Sequence, residues 1–219
     1  MIQKYQRTQN FQYLNFLPWF PKPRLNRKSL MHQRFPRYHH RFHPCFRFVL
    51  SFRRHFHQWI QTHSLPGVLI DVADYSHVHH GPGILLVTHA GNYSVDEMGG
   101  RRGLSYYSKH MLPGDLTARL TSVCRLTLQA CDLLEREARF AGKLRFNAGE
   151  LELFANDRLE APNTAATEAA FLPAVKTLLG KLYPGCEFMI AREPEARERF
   201  SLRIDSGTQA TAADLLAKI

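Results

Sequence analysis

The chain has 219 residues and a mass of 25.3 kDa, enough for one domain with a sizeable core. Hydrophobic residues make up 44% and charged residues 22%, so the composition is globular, and no uninterrupted apolar run is long enough to predict a transmembrane helix. Four cysteines are too few for a disulfide scaffold. Charge is segregated: residues 1–60 hold 12 of the 29 Lys and Arg and no acid, while the rest holds 17 bases against 19 acids, a net of −2. The pI near 9.7 therefore belongs to the N-terminal part, and a basic, nucleic-acid-binding reading does not extend to residues 61–219.

Residues 1–44 mix Phe11, Tyr13, Phe16, Trp19 and Phe20 with Pro18, Pro21 and Pro23, then bases, then a His-rich stretch ending at Pro44. No helical or strand period persists, so 1–44 is expected to be a disordered extension and 45–219 a single domain. The simplest account is a start placed too early, with translation beginning at Met31 or later. The rival is a basic, aromatic arm for nucleic acid or an acidic membrane surface, where Lys and Arg neutralise phosphates and aromatics stack or insert. A targeting segment fits poorly, because of the aromatic and Pro content.

Regular patterning begins near Cys45. Residues 46–50 (FRFVL) predict a short strand. Ser51 is placed to cap a helix over 52–63, with Phe52, Phe56, Trp59 and Ile60 on one face, and Pro66-Gly67 ends it. Strands are predicted over 68–73 and 84–89, joined by the His80-Gly81-Pro82-Gly83 turn, and over 103–109 after the Gly99-Gly100 break. Asp115 is the expected N-cap of the clearest helix, which runs to about Ala138 and buries Leu116, Leu120, Val123, Cys124, Cys131 and Leu134. A strand over 144–154 is expected to be interrupted at Ala148-Gly149. Asn163 or Thr164 starts another helix, ending near Pro184-Gly185. Residues 186–191 and 199–204 alternate as a hairpin, and Asp214 to Ile219 predicts a last short helix. Short turns between neighbouring strands require antiparallel pairing. The expected fold class is α+β: a mainly antiparallel sheet with helices packed on one side, in an order compatible with two βαββα, ferredoxin-like halves.

Segment 71–97 concentrates unusual polar residues, including His79, His80 and Glu97. If 68–73 pairs with 84–89, a polar cleft forms at the loop ends, with Asp71, Asp74, Tyr75, His77, His89, Asn92, Tyr93 and Asp96 as its candidate lining. Imidazole and carboxylate suit zinc or a similar divalent metal, which makes His77 and His89 candidate ligands. All 12 histidines lie between residues 32 and 110, so close pairs arise without function. The competing reading makes His89 a hydrogen-bonded structural histidine. No HExxH, CxxC, GxGxxG, Walker A or GxSxG pattern is present. Residues 156–163 (NDRLEAPN) form a second cluster before a helix start, where Arg158, Asn163 and Thr164 are candidates to bind an anion. Turn chemistry plus a helix cap is the simpler account of them. Cys124 and Cys131 share an apolar helix face and read as core, and the cysteine usage fits a reducing compartment.

The run His57-Gln58-Trp59-Ile60-Gln61, Leu69-Ile70-Asp71-Val72-Ala73-Asp74-Tyr75, His77-Val78, Gly81-Pro82-Gly83, His89 and Asn92-Tyr93-Ser94 resembles a family of small bacterial proteins with no assigned activity. Asn156-Asp157-Arg158-Leu159 and Ala161-Pro162-Asn163-Thr164 extend the resemblance, which covers about residues 50–204. It implies a bacterial source but carries no activity, cofactor or partner with it.

The first functional expectation is a soluble, cytoplasmic binding or accessory module, with the polar cleft holding a small molecule or a protein partner. The second is a metal-dependent, hydrolase-like enzyme in which His77, His89 and a nearby Asp hold a divalent metal that lowers the pKa of a bound water. The third is nucleic-acid binding through residues 1–44 alone.

Overall fold

The computed structural model describes residues 14–19, 44–78, 81–96, 103–140 and 143–219. In chain order these form β1 (Leu14–Trp19), α1 (Pro44–Thr62), β2 (Leu69–Asp74), β3 (Ile84–Thr88), β4 (Gly91–Asp96), β5 (Gly103–Ser108), α2 (Leu116–Arg136), β6 (Asn147–Ala155), α3 (Ala165–Leu182), β7 (Met189–Arg192), β8 (Ser201–Asp205) and α4 (Ala212–Leu216). The strands make one eight-stranded sheet, β2-β3-β4-β5-β1-β6-β8-β7, antiparallel at every pairing. The α+β class is as expected. The second half keeps the βαββα order. The first half carries four strands between its helices, and the two halves share one sheet instead of standing as separate ferredoxin-like units.

β1 corrects the expectation for residues 1–44. It pairs with β5 through Asn15↔Tyr107 and Phe16↔Tyr106, and with β6 through Asn15↔Phe154 and Phe16↔Leu153. It therefore joins the β2–β5 meander to β6-β8-β7. Pro18 masks the strand in the sequence, because a residue without N–H is out of place inside a sheet. A register shift between Pro18 and Trp19 accommodates it. Residues 1–13 and 20–43, with the rest of the basic arm, lie outside the described residues.

Residues 46–50 are helical, not a strand, since α1 begins at Pro44. Proline is at home in a first helical turn, and the four-residue spacing of Phe48, Phe52 and Phe56 in the sequence continues one helical period across the expected boundary. β4 is a strand that the polar segment 71–97 concealed. Thr88 makes the turn into it: its hydroxyl donates to the Gly91 carbonyl at 2.7 Å and accepts from the Gly91 N–H at 3.0 Å. Gly91 is required there, because a Cβ would lie 2.3 Å from the Tyr107 carbonyl oxygen. Asp115 caps α2 as expected, accepting from the Ala118 N–H. β6 runs unbroken through Ala148-Gly149. α4 starts earlier than expected because Thr211 is its N-cap and Asp214 closes a capping box.

Strand alternation divides the sheet. Ile84, Leu86, Tyr93, Val95, Leu104, Tyr106, Leu151, Leu153, Leu202 and Ile204 join one buried cluster with Phe52, Phe56 and Trp59 of α1, Leu120, Val123 and Leu128 of α2, Phe171 and Val175 of α3 and Leu215 of α4. All four described helices thus cover the same face, as expected. No helix among the described residues is long and apolar enough to cross a membrane.

Candidate functional site

The polar residues of 71–97 do not converge. His77 follows β2, in the turn where the Tyr75 N–H donates to the Gly83 carbonyl. His89 lies past the other end of β3, its N–H donating to the Val68 carbonyl. The length of β3 separates the two histidines by roughly 17 Å, beyond the reach of one ion. The metal pairing of His77 and His89 is therefore corrected: an extended strand separates residues that sequence proximity suggested were neighbours. Both side chains are exposed, and the His89 ring lies against His110, with centroids 5.5 Å apart. Among the described residues no group of three or more His, Cys, Asp and Glu is placed to hold a metal. His79, His80 and Glu97 lie outside those residues.

Asp74 is a turn former, accepting from the Ser76 N–H at 3.0 Å and from the Ser76 hydroxyl. Burial pushes its carboxyl up, but those hydrogen bonds outweigh it and, with Arg53 at 4.0 Å, hold it below its ordinary range. Tyr75 is exposed. Tyr93 points into the core, 1% exposed and packed at a tilt against Tyr106 with ring centroids 4.8 Å apart, so it leaves the candidate list. Asp96 ends β4 opposite Gly103. Asp71 and Asn92 share the face away from the helices: Asp71 stands opposite Val87, and Val87 opposite Asn92.

The anion site at 156–164 is likewise corrected. Asn163 is buried and uses its amide to tie the α3 start to the β7–β8 loop, donating to the carbonyls of Glu193 and Glu195 at 3.0 and 2.9 Å. Its side-chain oxygen accepts from Arg192 Nη1 at 2.9 Å, and Arg192 Nε donates to Glu168 at 3.1 Å. Thr164 is the N-cap and accepts from the Thr167 N–H. Arg158 is exposed and shares in none of this. Asn163 and Thr164 are thus engaged within the chain itself.

The unusual surface is the other face of the sheet. By register it carries Asp71 and Ala73 (β2), Leu85 and Val87 (β3), Asn92 and Ser94 (β4), Ser105 and Tyr107 (β5), Glu152 and Phe154 (β6), and Ser201 and Arg203 (β8). Ser94, Ser105 and Phe154 are 0% exposed and Glu152 is 7% exposed, although no described helix packs there. Phe154 stands apart from the core cluster. Tyr107 meets it edge-on at 6.2 Å, and the Arg199 guanidinium lies 4.0 Å above its ring. Burial raises the Glu152 carboxyl, opposed by Arg203, a hydrogen bond from Ser201 and Arg199. Asn92 Oδ1 and Ser105 Oγ are buried with no hydrogen-bond partner among the described residues. Native interiors rarely leave such atoms unpaired. Sequence reading found Asn92 but missed Ser105, Tyr107, Glu152 and Phe154. The available signal was the period-2 alternation in Gly103–Ser108 and Asn147–Ala155.

A cavity elsewhere, of about 620 Å³, lies between the end of α3 and α4. There the Tyr183 hydroxyl donates to the Ala148 carbonyl and Lys218 Nζ to the Leu182 carbonyl.

Fold and face together define a class: an antiparallel α+β protein with helices on one side of its sheet and a polar, partly buried face on the other. No family model, curated protein or solved structure matches the chain.

Proposed function

We propose that the protein is a binding or accessory module, not a metal-dependent enzyme, and that it works through the sheet face opposite the helices. One observation carries this reading: polar and aromatic side chains of β4, β5, β6 and β8 are buried on a face that no described helix covers. A face that only met water would favour long charged side chains; Ser94, Ser105 and Glu152 are instead short or withdrawn from solvent. The ligand is a small molecule or a partner segment that completes the hydrogen bonds left open there. Cys124, Cys131 and Cys186 are free thiols, which supports a reducing, cytoplasmic setting, and the family resemblance supports a bacterial one.

Native mass spectrometry of the full chain, purified without a tag, tests the reading. The expected result is a non-covalent adduct that is lost on denaturation and reduced in Tyr107→Ala and Ser105→Ala. An adduct-free protein whose far-face variants change neither association nor stability would sink it.

The nucleic-acid reading keeps one support, the acid-free charge of residues 1–60. It requires binding that weakens steeply with salt.

A further inference from the structure

We propose that His89 and His110, with the thioether of Met111, hold a single copper(I) ion; the site lies at one end of the sheet and is independent of the far-face reading. His89 and Ala90 form the two-residue turn between β3 and β4, and His110 follows the end of β5. Hydrogen bonds brace both positions. The His89 N–H donates to the Val68 carbonyl and the Lys109 N–H to the Ala90 carbonyl, each at 2.9 Å. Lys109 Nζ donates to the Thr88 carbonyl at 2.6 Å, and the Ser108 hydroxyl to the His110 carbonyl at 2.6 Å. The two imidazoles are thus held together by a fixed backbone, with ring centroids 5.5 Å apart. Both side chains are exposed, and neither ring makes a hydrogen bond among the described residues.

Geometry and charge select the ion. An imidazole nitrogen sits about 2.0 Å from a bound ion and its ring centre about 1.1 Å further back, so centroids about 5.5 Å apart match a trigonal angle; the right angle of a square-planar copper(II) or nickel(II) site needs about 4.5 Å. A trigonal ion then lacks one donor. Met111 follows His110 directly and is 45% exposed. Its unbranched side chain turns freely and carries a soft sulfur, which favours copper(I). Among the described residues no carboxylate or thiol joins the pair to make a group of three, and the Lys109 ammonium beside it adds positive charge. A divalent ion gains no compensating charge there, and a monovalent one meets the smaller repulsion. The free thiols noted above fit the reducing conditions that keep copper in this state.

Copper(I) supplied on the chromogenic chelator bicinchoninate, without air, is titrated with the full chain and its variants. The remaining histidines and cysteines give every protein the same background. His89→Ala and His110→Ala should each remove the same single equivalent of tightly held copper(I), by weakening it about a hundredfold, and the double variant should remove no more. Met111→Leu should keep that equivalent at about tenfold lower affinity, while His77→Ala matches the parent. Melting temperatures without copper should not change, because the three side chains are exposed; His89→Gln and His110→Gln replace any alanine variant that melts early. Single variants that titrate like the parent would overturn the site. Losses that add in the double variant would mean two separate imidazoles instead of one shared ion. Parent-level affinity in Met111→Leu would remove the thioether from the proposal, and displacement of the copper by an equal concentration of zinc would overturn the choice of ion.

Discussion

His55 on α1 is 3% exposed, and neither ring nitrogen has a hydrogen-bond partner among the described residues. It packs on Phe140 at 4.8 Å, with Nδ1 3.6 Å from a Glu137 oxygen. Burial lowers its pKa below 6.5; Glu137 opposes that, while Arg139 and Arg54 add to it. The unfolded chain takes up a proton near pH 6.5 that the folded ring resists, so stability falls as pH drops below 6.5 until the folded ring also protonates. Melting temperatures between pH 5 and pH 8 should decline toward the acid end, and His55→Phe should flatten that slope; an unchanged slope contradicts this account. Asn163 gives a second prediction. Asn163→Ala removes both bonds to the β7–β8 loop and the bond that Arg192 Nη1 gives to the Asn163 side chain, at a cost of about 2 kcal/mol in urea unfolding. Its identity was legible in the sequence, but its role was not, because the partners lie 30 and 32 residues further along the chain.

β1 and β4 are the elements where local patterning and tertiary pairing part company. Propensity for β1 is spoiled by Pro18, yet β5 and β6 each pair with it and leave it no free edge. A chain beginning at residue 44 therefore loses the strand that joins two parts of the sheet, whereas one beginning at residue 14 keeps it. Circular dichroism and urea titration should show cooperative unfolding for the longer chain, and loss of cooperativity or insolubility for the shorter one. A shorter chain that unfolds as cooperatively as the parent would remove β1 from the fold. α2 and the β7–β8 hairpin were legible beforehand, because Asp115 caps and the alternation in Met189–Arg192 and Ser201–Asp205 are local signals.

In the whole molecule, β3 keeps His77 and His89 apart, which decides against one shared metal ion. His77→Ala and His89→Ala should each leave zinc-dependent changes in melting temperature at the parent level. A large zinc stabilisation abolished by either variant would restore the enzyme reading. All four described helices settle on one face, since ten strand residues that alternate inward meet their apolar stripes there. The other face is left with a row, Asp71, Val87, Asn92 and Tyr107, that continues through Asn15 to Phe154 and Ser201. That row draws on seven strands and spans residues 15 to 201, so no window of sequence contains it.

Composition and periodicity by themselves determined the α+β class, the antiparallel pairing of close strands, the α2 cap and most of the buried stripe, because each depends on contacts between near neighbours in the chain. Only the tertiary structure decided that residues 14–19 pair inside the sheet, that Tyr93 is core while Asn92 is not, and that the two histidines stand apart. Those outcomes depend on strand order and register, where a shift of one residue exchanges the two faces of a strand and long-range pairing overrides local propensity.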